Sequence, residues 1–276
     1  MFQLTTAMNI LQSFIKSQGG TTIGGISFYY SEGQLRMRQA SGPSKKQIKT
    51  KASCKPIRNN NTEFGFASKL GKSLRTRIGS GLKDFADSQI SGRLTGLFRS
   101  IIKKGTGVAG QRKFNPYTHA ELLRGFECNR HRNFQDVWKS AITCTWIENN
   151  NEYIVQTTVL PQVDIQAPAD ATHACFTLFS LNVPVICYDA TRKRYASENA
   201  RSLHTSYKEK ACTYFEMLPL NNKDAVAIEM RISGLDEHVE KGSGVMLFLY
   251  AVSFYAGDVL MREGAVMKVG EVVCKL

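Results

Sequence analysis

The sequence predicts an α+β chain: a basic N-terminal region of helix, hairpin, arm and two further helices over residues 1–115, then an antiparallel β-sandwich over 116–276. Three observations carry this reading. Positive charge is concentrated at one end, since residues 1–115 hold 20 Lys and Arg against 4 Asp and Glu, a surplus of 16, while residues 116–276 hold 16 against 19, a deficit of 3. Helical spacing of apolar residues recurs up to about residue 104. From residue 142 onward the pattern changes to period two, in short β-branched and aromatic runs separated by turn residues. With 276 residues, 42% hydrophobic and 10% aromatic, the chain has the means to build a core without staples.

Leu4, Met8, Leu11 and Ile15 recur at spacings of four, three and four, one face of a short helix. That stripe either packs on the protein's own body or docks on a partner. Residues 21–30 and 34–38 flank Ser31-Glu32-Gly33 and predict a two-stranded hairpin. The stretch from Gly42 to Asn61 contains Lys45, Lys46, Lys49, Lys51, Lys55 and Arg58, no acid, two prolines, and only Ile48 and Ile57 as large apolar residues. It reads as a solvated linker, or as an arm that finds its counter-charge elsewhere, with no packed element of its own.

A helix is predicted from Asn61 or Thr62 as cap, with Glu63 suiting the positive end of the dipole and Ala67, Leu70, Leu74 and Ile78 on the inner face. Its outer face offers Lys69, Lys72, Arg75 and Arg77. After the Gly79-Ser80-Gly81 turn, a second helix from about Ser91 turns Leu94, Leu97 and Ile101 inward and adds Arg93, Arg99, Lys103 and Lys104. A short helical turn at 120–124 then leads past the expected boundary near residue 115.

In the second half, residues 142–147 and 153–159 around Glu148-Asn149-Asn150-Asn151 predict a hairpin, because Asn tolerates the positive φ that such turns need. Further strands are expected at 172–180, 183–188, 211–217, 223–232, 245–254 and 265–275. Eight short strands without long intervening helices suggest a sandwich of jelly-roll or immunoglobulin-like type. Val245 to Tyr255, the most apolar segment, is too short to span a bilayer and reads as a core strand.

The chemistry-bearing residues point away from an enzyme. There is no G-x-S-x-G, H-E-x-x-H or G-x-x-x-x-G-K-[ST] sequence. His119, Cys128 and His131, with Cys144 as a fourth, are the one ligand-like grouping, and their incomplete spacing predicts neither metal nor cofactor. His173 reads as a structural strand residue, and His204 and His238 lie in polar stretches. Glu148, Asp164, Asp170, Asp189, Asp224, Asp236, Glu237 and Glu240 are scattered over turns as on a solvated surface. Seven cysteines, odd in number and never in C-x-x-C pairs, predict free thiols and a reducing, cytoplasmic compartment. Thr5, Thr6, Asn9, Gln12 and Ser13 interrupt any apolar stretch at the N-terminus, so neither a signal peptide nor a membrane partner is expected.

What remains is the basic half. Its Lys and Arg residues, interleaved with Phe28, Tyr29, Tyr30, Phe64, Phe66 and Phe98, suit electrostatic contact with phosphates or with acidic surfaces of neighbouring subunits.

One resemblance bears on this half. Gly25-Ile26-Ser27-Phe28-Tyr29 with Gly33 and Arg38, Gly42-Pro43-Ser44-Lys45 with Ile48-Lys49-Thr50, Arg58 with Asn60-Asn61 and Glu63-Phe64-Gly65, and Gly71-Lys72 with Leu74-Arg75 follow one another in a specific order. In these the chain resembles an uncharacterised family of bacteroidete hypothetical proteins with a basic N-terminal region and a β-rich C-terminal domain. The likeness covers residues 24–75 and implies an architecture, with no catalytic residue. Asn59, where that family carries an acid, and the additional Lys51 and Lys55 depart from it.

Two function classes follow. The first is a structural assembly protein, a homo-oligomer in a viral or other large particle, whose basic region contacts neighbouring subunits or polyanions. The second is a sequence-independent nucleic-acid-binding protein.

Overall fold

A computed structural model describes residues 2–17, 19–31, 33–39, 42–197, 211–233 and 244–273. The chain divides into two compact units, residues 1–58 and 59–276. The division therefore falls at residue 58 and not near 115, because the helices expected to belong with the basic region share a core with the C-terminal strands.

The first unit opens with helix α1 (Phe2–Ser17), in which Ile15 is fully buried. Leu4, Met8 and Leu11 of the expected stripe lie outside the residues whose side chains are described. The predicted hairpin is instead a three-stranded antiparallel sheet, β1 (Thr21–Ile23), β2 (Ile26–Ser31) and β3 (Gln34–Gln39). Gly24 and Gly25, at φ of 57° and 80°, make a two-residue turn between paired Ile23 and Ile26. Positive φ at both central positions is the geometry that joins twisted strands tightly, which is why this run breaks into two strands.

The expected linker is largely helical. Ser44 caps α2 (Lys45–Thr50) in a reciprocal box with Gln47, its side chain accepting from the Gln47 amide while the Gln47 side chain accepts from the Ser44 amide. A single 3₁₀ turn follows, and α3 (Lys55–Ile78) begins six residues before the expected start, with Pro56 in its first turn, where a missing N–H costs nothing. Asn61 and Thr62 are thus interior to the helix and cap nothing.

The second unit continues with α4 (Leu82–Phe85), α5 (Ile90–Lys104), α6 (Ala120–Leu123) and α7 (Phe134–Val137). Strands β4 (Ile142–Ile147) and β5 (Glu152–Val159) form the predicted hairpin, with Asn151 at φ 50°. After α8 (Pro161–Asp164) come β6 (His173–Pro184), β7 (Ile186–Asp189), β8 (Arg194–Ser197), β9 (Cys212–Pro219), β10 (Val226–Ser233), β11 (Gly244–Ala256) and β12 (Val259–Val273). All pairings are antiparallel, in sheets ordered β10-β5-β4, β12-β11-β6-β9 and β7-β8. The small β7-β8 ribbon has no counterpart in the predicted strand set beyond 183–188.

The long strand β11 explains the layering. Its odd positions, Val245, Leu247, Leu249 and Ala251, join one apolar cluster with Leu70 and Leu74 of α3 and Leu94, Phe98 and Ile101 of α5. Its even positions, Phe248, Tyr250, Val252 and Phe254, join a second cluster with Tyr153, Val155, Ile228 and Met230 of the three-stranded sheet. Side chains alternate across a strand, so a strand apolar at every position from Val245 to Val252 is covered on both faces. Helices lie on one face of the four-stranded sheet and the three-stranded sheet on the other. The fold is α+β with several antiparallel sheets.

Candidate partner and polyanion interface

The basic residues divide into those that face solvent and those that the fold uses internally. In the first unit Lys45, Lys46, Lys49, Lys51 and Lys55 are all exposed, on α2, the turn after it and the start of α3. Arg58 differs. Its Nη1 donates to the carbonyl oxygens of Ile48 and Lys51, at 2.6 and 2.9 Å, tying the end of α2 to the start of α3, and the Lys51 carbonyl also accepts from the Cys54 amide of the 3₁₀ turn.

In the second unit Lys69 and Lys72 stand exposed on α3, and Lys103 and Lys104 on the last turn of α5. Lys104 meets Glu121 at 3.8 Å, with both side chains in water, a pair worth about 0–1 kcal/mol. Arg75 is half-buried. Arg99 donates from Nη2 to Asn60 Oδ1 and lies 6.0 Å from the exposed Phe64 ring.

Arg77 and Arg93 are structural. Arg77 is buried, and its Nη1 donates to the carbonyl of Asn182 in β6 at 2.5 Å. Arg93 donates to Asp87 Oδ2 at 2.5 Å and to the carbonyls of Cys128 and Glu127, with its guanidinium 4.9 Å from the Phe126 ring. It joins the start of α5 to the segment before α7. Burial opposes ionisation of Asp87, but donation from the Arg130 and Gln89 amides and from Arg93 holds its pKa below the usual 3.8. The aromatic set divides in the same way, since Phe66 and Phe98 are buried while Phe64 is exposed.

Glu63 does not stand at the positive end of its helix, which begins at Lys55. It is 3% exposed and accepts from the Gly110 amide at 2.7 Å and from Arg112 at 3.1 Å. The acid and its partner lie 49 residues apart, so nothing local in the sequence announces the pair.

Among the described residues no three His, Cys, Asp or Glu side chains gather as a metal site. Cys128 is buried, and burial together with the neighbouring Glu127 charge pushes its thiol up to about 12. Cys144 is likewise pushed up to about 12 by burial and by Glu271. A thiol at that level is neutral at physiological pH and a poor nucleophile or ligand. His119 lies 3.6 Å from Glu121, and His131 Nε2 accepts from Arg130 Nε. His173 is paired with Thr172 Oγ1 at 2.9 Å. His204, His238, Asp236, Glu237, Glu240 and Cys274 lie outside the described residues. The six described cysteines are free thiols, and no described helix is long and apolar enough to cross a membrane.

Arg36 and Arg38 were not among the predicted contact residues, yet both are exposed on β3. The alternation Leu35-Arg36-Met37-Arg38 is the signal that would have found them, since period two puts the two arginines on one face and the two apolar residues on the other. Comparison with known proteins returns no family model, no curated protein and no solved structure that matches the chain.

Proposed function

We propose that this chain is a non-enzymatic structural protein that assembles with copies of itself, its basic N-terminal unit contacting neighbouring subunits or polyanions. The facing sheets of the second unit are read as a β-sandwich body, of jelly-roll or immunoglobulin-like type. The carrying observation is the surface of the first unit. Of fifteen exposed large apolar side chains among the described residues, seven (Ile10, Phe14, Ile23, Ile26, Leu35, Met37 and Ile57) lie in the first 58 residues. The same 58 residues carry nine Lys and Arg and one acid, Glu32. A surface both apolar and strongly charged suits contact with something outside the unit. The free thiols support a reducing, cytoplasmic setting, with membership of a viral or other large particle as the finer form of the proposal.

Light scattering on the full chain over a hundredfold concentration range tests the reading. Assembly predicts a mass that rises to a defined multimer or a growing filament, and a monomer at every concentration overturns it.

A second reading, sequence-independent nucleic-acid binding, is favoured by the exposed Lys69, Lys72, Lys103 and Lys104. It predicts an affinity for mixed-sequence DNA that falls steeply with salt as counterions are released. Salt-independent binding, or none, removes it.

A further inference from the structure

We propose that copies join by strand pairing, the edge strand β3 of one copy adding to the edge strand β9 of the next. This rests on the assembly reading above and names the surfaces that carry it.

Among the described residues β9 pairs with β6 alone and β3 with β2 alone, so each leaves one row of backbone groups without a strand partner. An edge of this kind is a template for another strand unless something blunts it. The opposite edge of the four-stranded sheet is covered between Met267 and Val269. Gly125 and Cys128 donate their amides to the carbonyls of Val269 and Met267, and Val269 donates to Phe126. Strands β4 and β10, at the edges of the three-stranded sheet, carry no exposed large apolar side chain. Strand β9 carries two, Phe215 at 67% exposure and Met217 at 39%, and residues 212–218 contain no proline and no basic residue.

Strand β3 matches it. All six of its residues are exposed, with Leu35 and Met37 on one face and Arg36 and Arg38 on the other. Strand β9 likewise places Phe215 and Met217 on one face and Tyr214 and Glu216 on the other. One antiparallel register satisfies every position: Leu35 opposite Met217, Arg36 opposite Glu216, Met37 opposite Phe215, and Arg38 opposite Tyr214. The apolar pairs are then on one face, and the other pairs a cation with an anion and a cation with an aromatic ring. A second copy is the occupant because this chain carries both complementary edges. Their surfaces differ, so the contact is head-to-tail and propagates into a closed ring or an open filament.

The test is charge exchange on the full chain, read by light scattering, with circular dichroism to confirm folding. Arg36→Glu and Glu216→Arg should each weaken association about tenfold, from one opposed pair turned into a like pair, and the double variant should regain it. Wild-type assembly that neither single change affects overturns strand pairing and leaves the assembly reading standing. A wild type that is monomeric throughout overturns both. In a second arm, Met37→Cys combined with Phe215→Cys should give covalent multimers on mild oxidation beyond those of either single variant. A disulfide closed within one chain, or no added crosslink, overturns the proposal.

Discussion

Gly270 lies against the ring of Tyr250 so closely that a Cβ built on the glycine would stand 2.1 Å from Tyr250 Cε2. Gly270 is the extra residue of a bulge, since β12 pairs Glu271 with Phe248 and then Val269 with Leu249. Tyr250 is buried among Phe176 and Phe134, at ring distances of 6.2 and 6.4 Å, and has little room to yield. Gly270→Ala should therefore destabilise by about 1–3 kcal/mol through overpacking, seen as a lower urea midpoint with unchanged slope. The same change should cost less in a Tyr250→Leu background, and equal costs in both backgrounds would remove the steric account.

Tyr250 Oη is buried without a hydrogen-bond partner among the described residues. Tyr250→Phe removes a polar group that folding leaves unsatisfied, so the variant should be as stable as the wild type or more so by up to about 1 kcal/mol. A clear loss of stability in thermal unfolding would show that the hydroxyl has a bonding role.

Asp87 and Glu127 give stability an opposed pH dependence. Hydrogen bonds and Arg93 hold Asp87 below 3.8 against the pull of burial, while burial raises Glu127 above 4.5 despite donation from the Phe134 amide at 3.1 Å. A carboxylate depressed in the folded state stabilises above its unfolded pKa, and that contribution is lost as pH falls through the folded value. A raised one favours the fold below its unfolded pKa, and that contribution is lost as pH rises through the folded value. Asp87→Asn should thus remove part of the stability loss below pH 3.8, and Glu127→Gln part of the loss on rising through pH 4.5 and above. Urea unfolding from pH 3 to 7 measures both, and parallel profiles for variants and wild type would rule out either linkage.

Strand positions in the second unit were largely legible, because β-branched runs of period two have few alternative homes. Strand β11 was recognisable as core from its uninterrupted apolar run. The helices were legible from Ala67, Leu70 and Leu74 at helical spacing, but their allegiance was not. Whether an apolar helix face packs on its own region or on a sheet more than 100 residues later is a tertiary matter, and charge counting assigned α3 and α5 to the wrong side of a boundary. The stretch from Gly42 to Asn61 was misread for a local reason instead. Its lack of apolar residues hid a capping box and a helix start that depend on local hydrogen bonds.

The contact residues were legible by type and not by role. Lys69 and Arg77 stand on the same helix, but one is exposed and the other is buried on the Asn182 carbonyl. Arg77→Ala should cost about 1–3 kcal/mol of stability, by removing a buried guanidinium from the Asn182 carbonyl to which it donates, with little effect on polyanion affinity. Lys69→Ala with Lys72→Ala should leave stability within about 0.5 kcal/mol and reduce the salt dependence of any polyanion binding. If all three act alike in both measurements, the division into structural and solvent-facing cations fails.

Removing the first unit should separate assembly from folding. The cut belongs before Lys55 and no later, because Asn59 packs against Gly110, where a Cβ would stand 2.8 Å from its own, and Asn60 accepts from Arg99. Residues 59–276 contain both apolar clusters and all the strands of the four-stranded and three-stranded sheets. A chain starting at Lys55 should therefore keep a β-rich circular dichroism spectrum and a cooperative unfolding transition. It loses β3, the exposed apolar residues of α1 and the lysines of α2, and with them the surface proposed to reach a neighbour. Light scattering should find it monomeric at concentrations where the full chain assembles. A truncated chain that forms the same oligomer would show that the connector lies in the second unit, and the exposed lysines of α3 and α5 would then be better understood as a grip on nucleic acid.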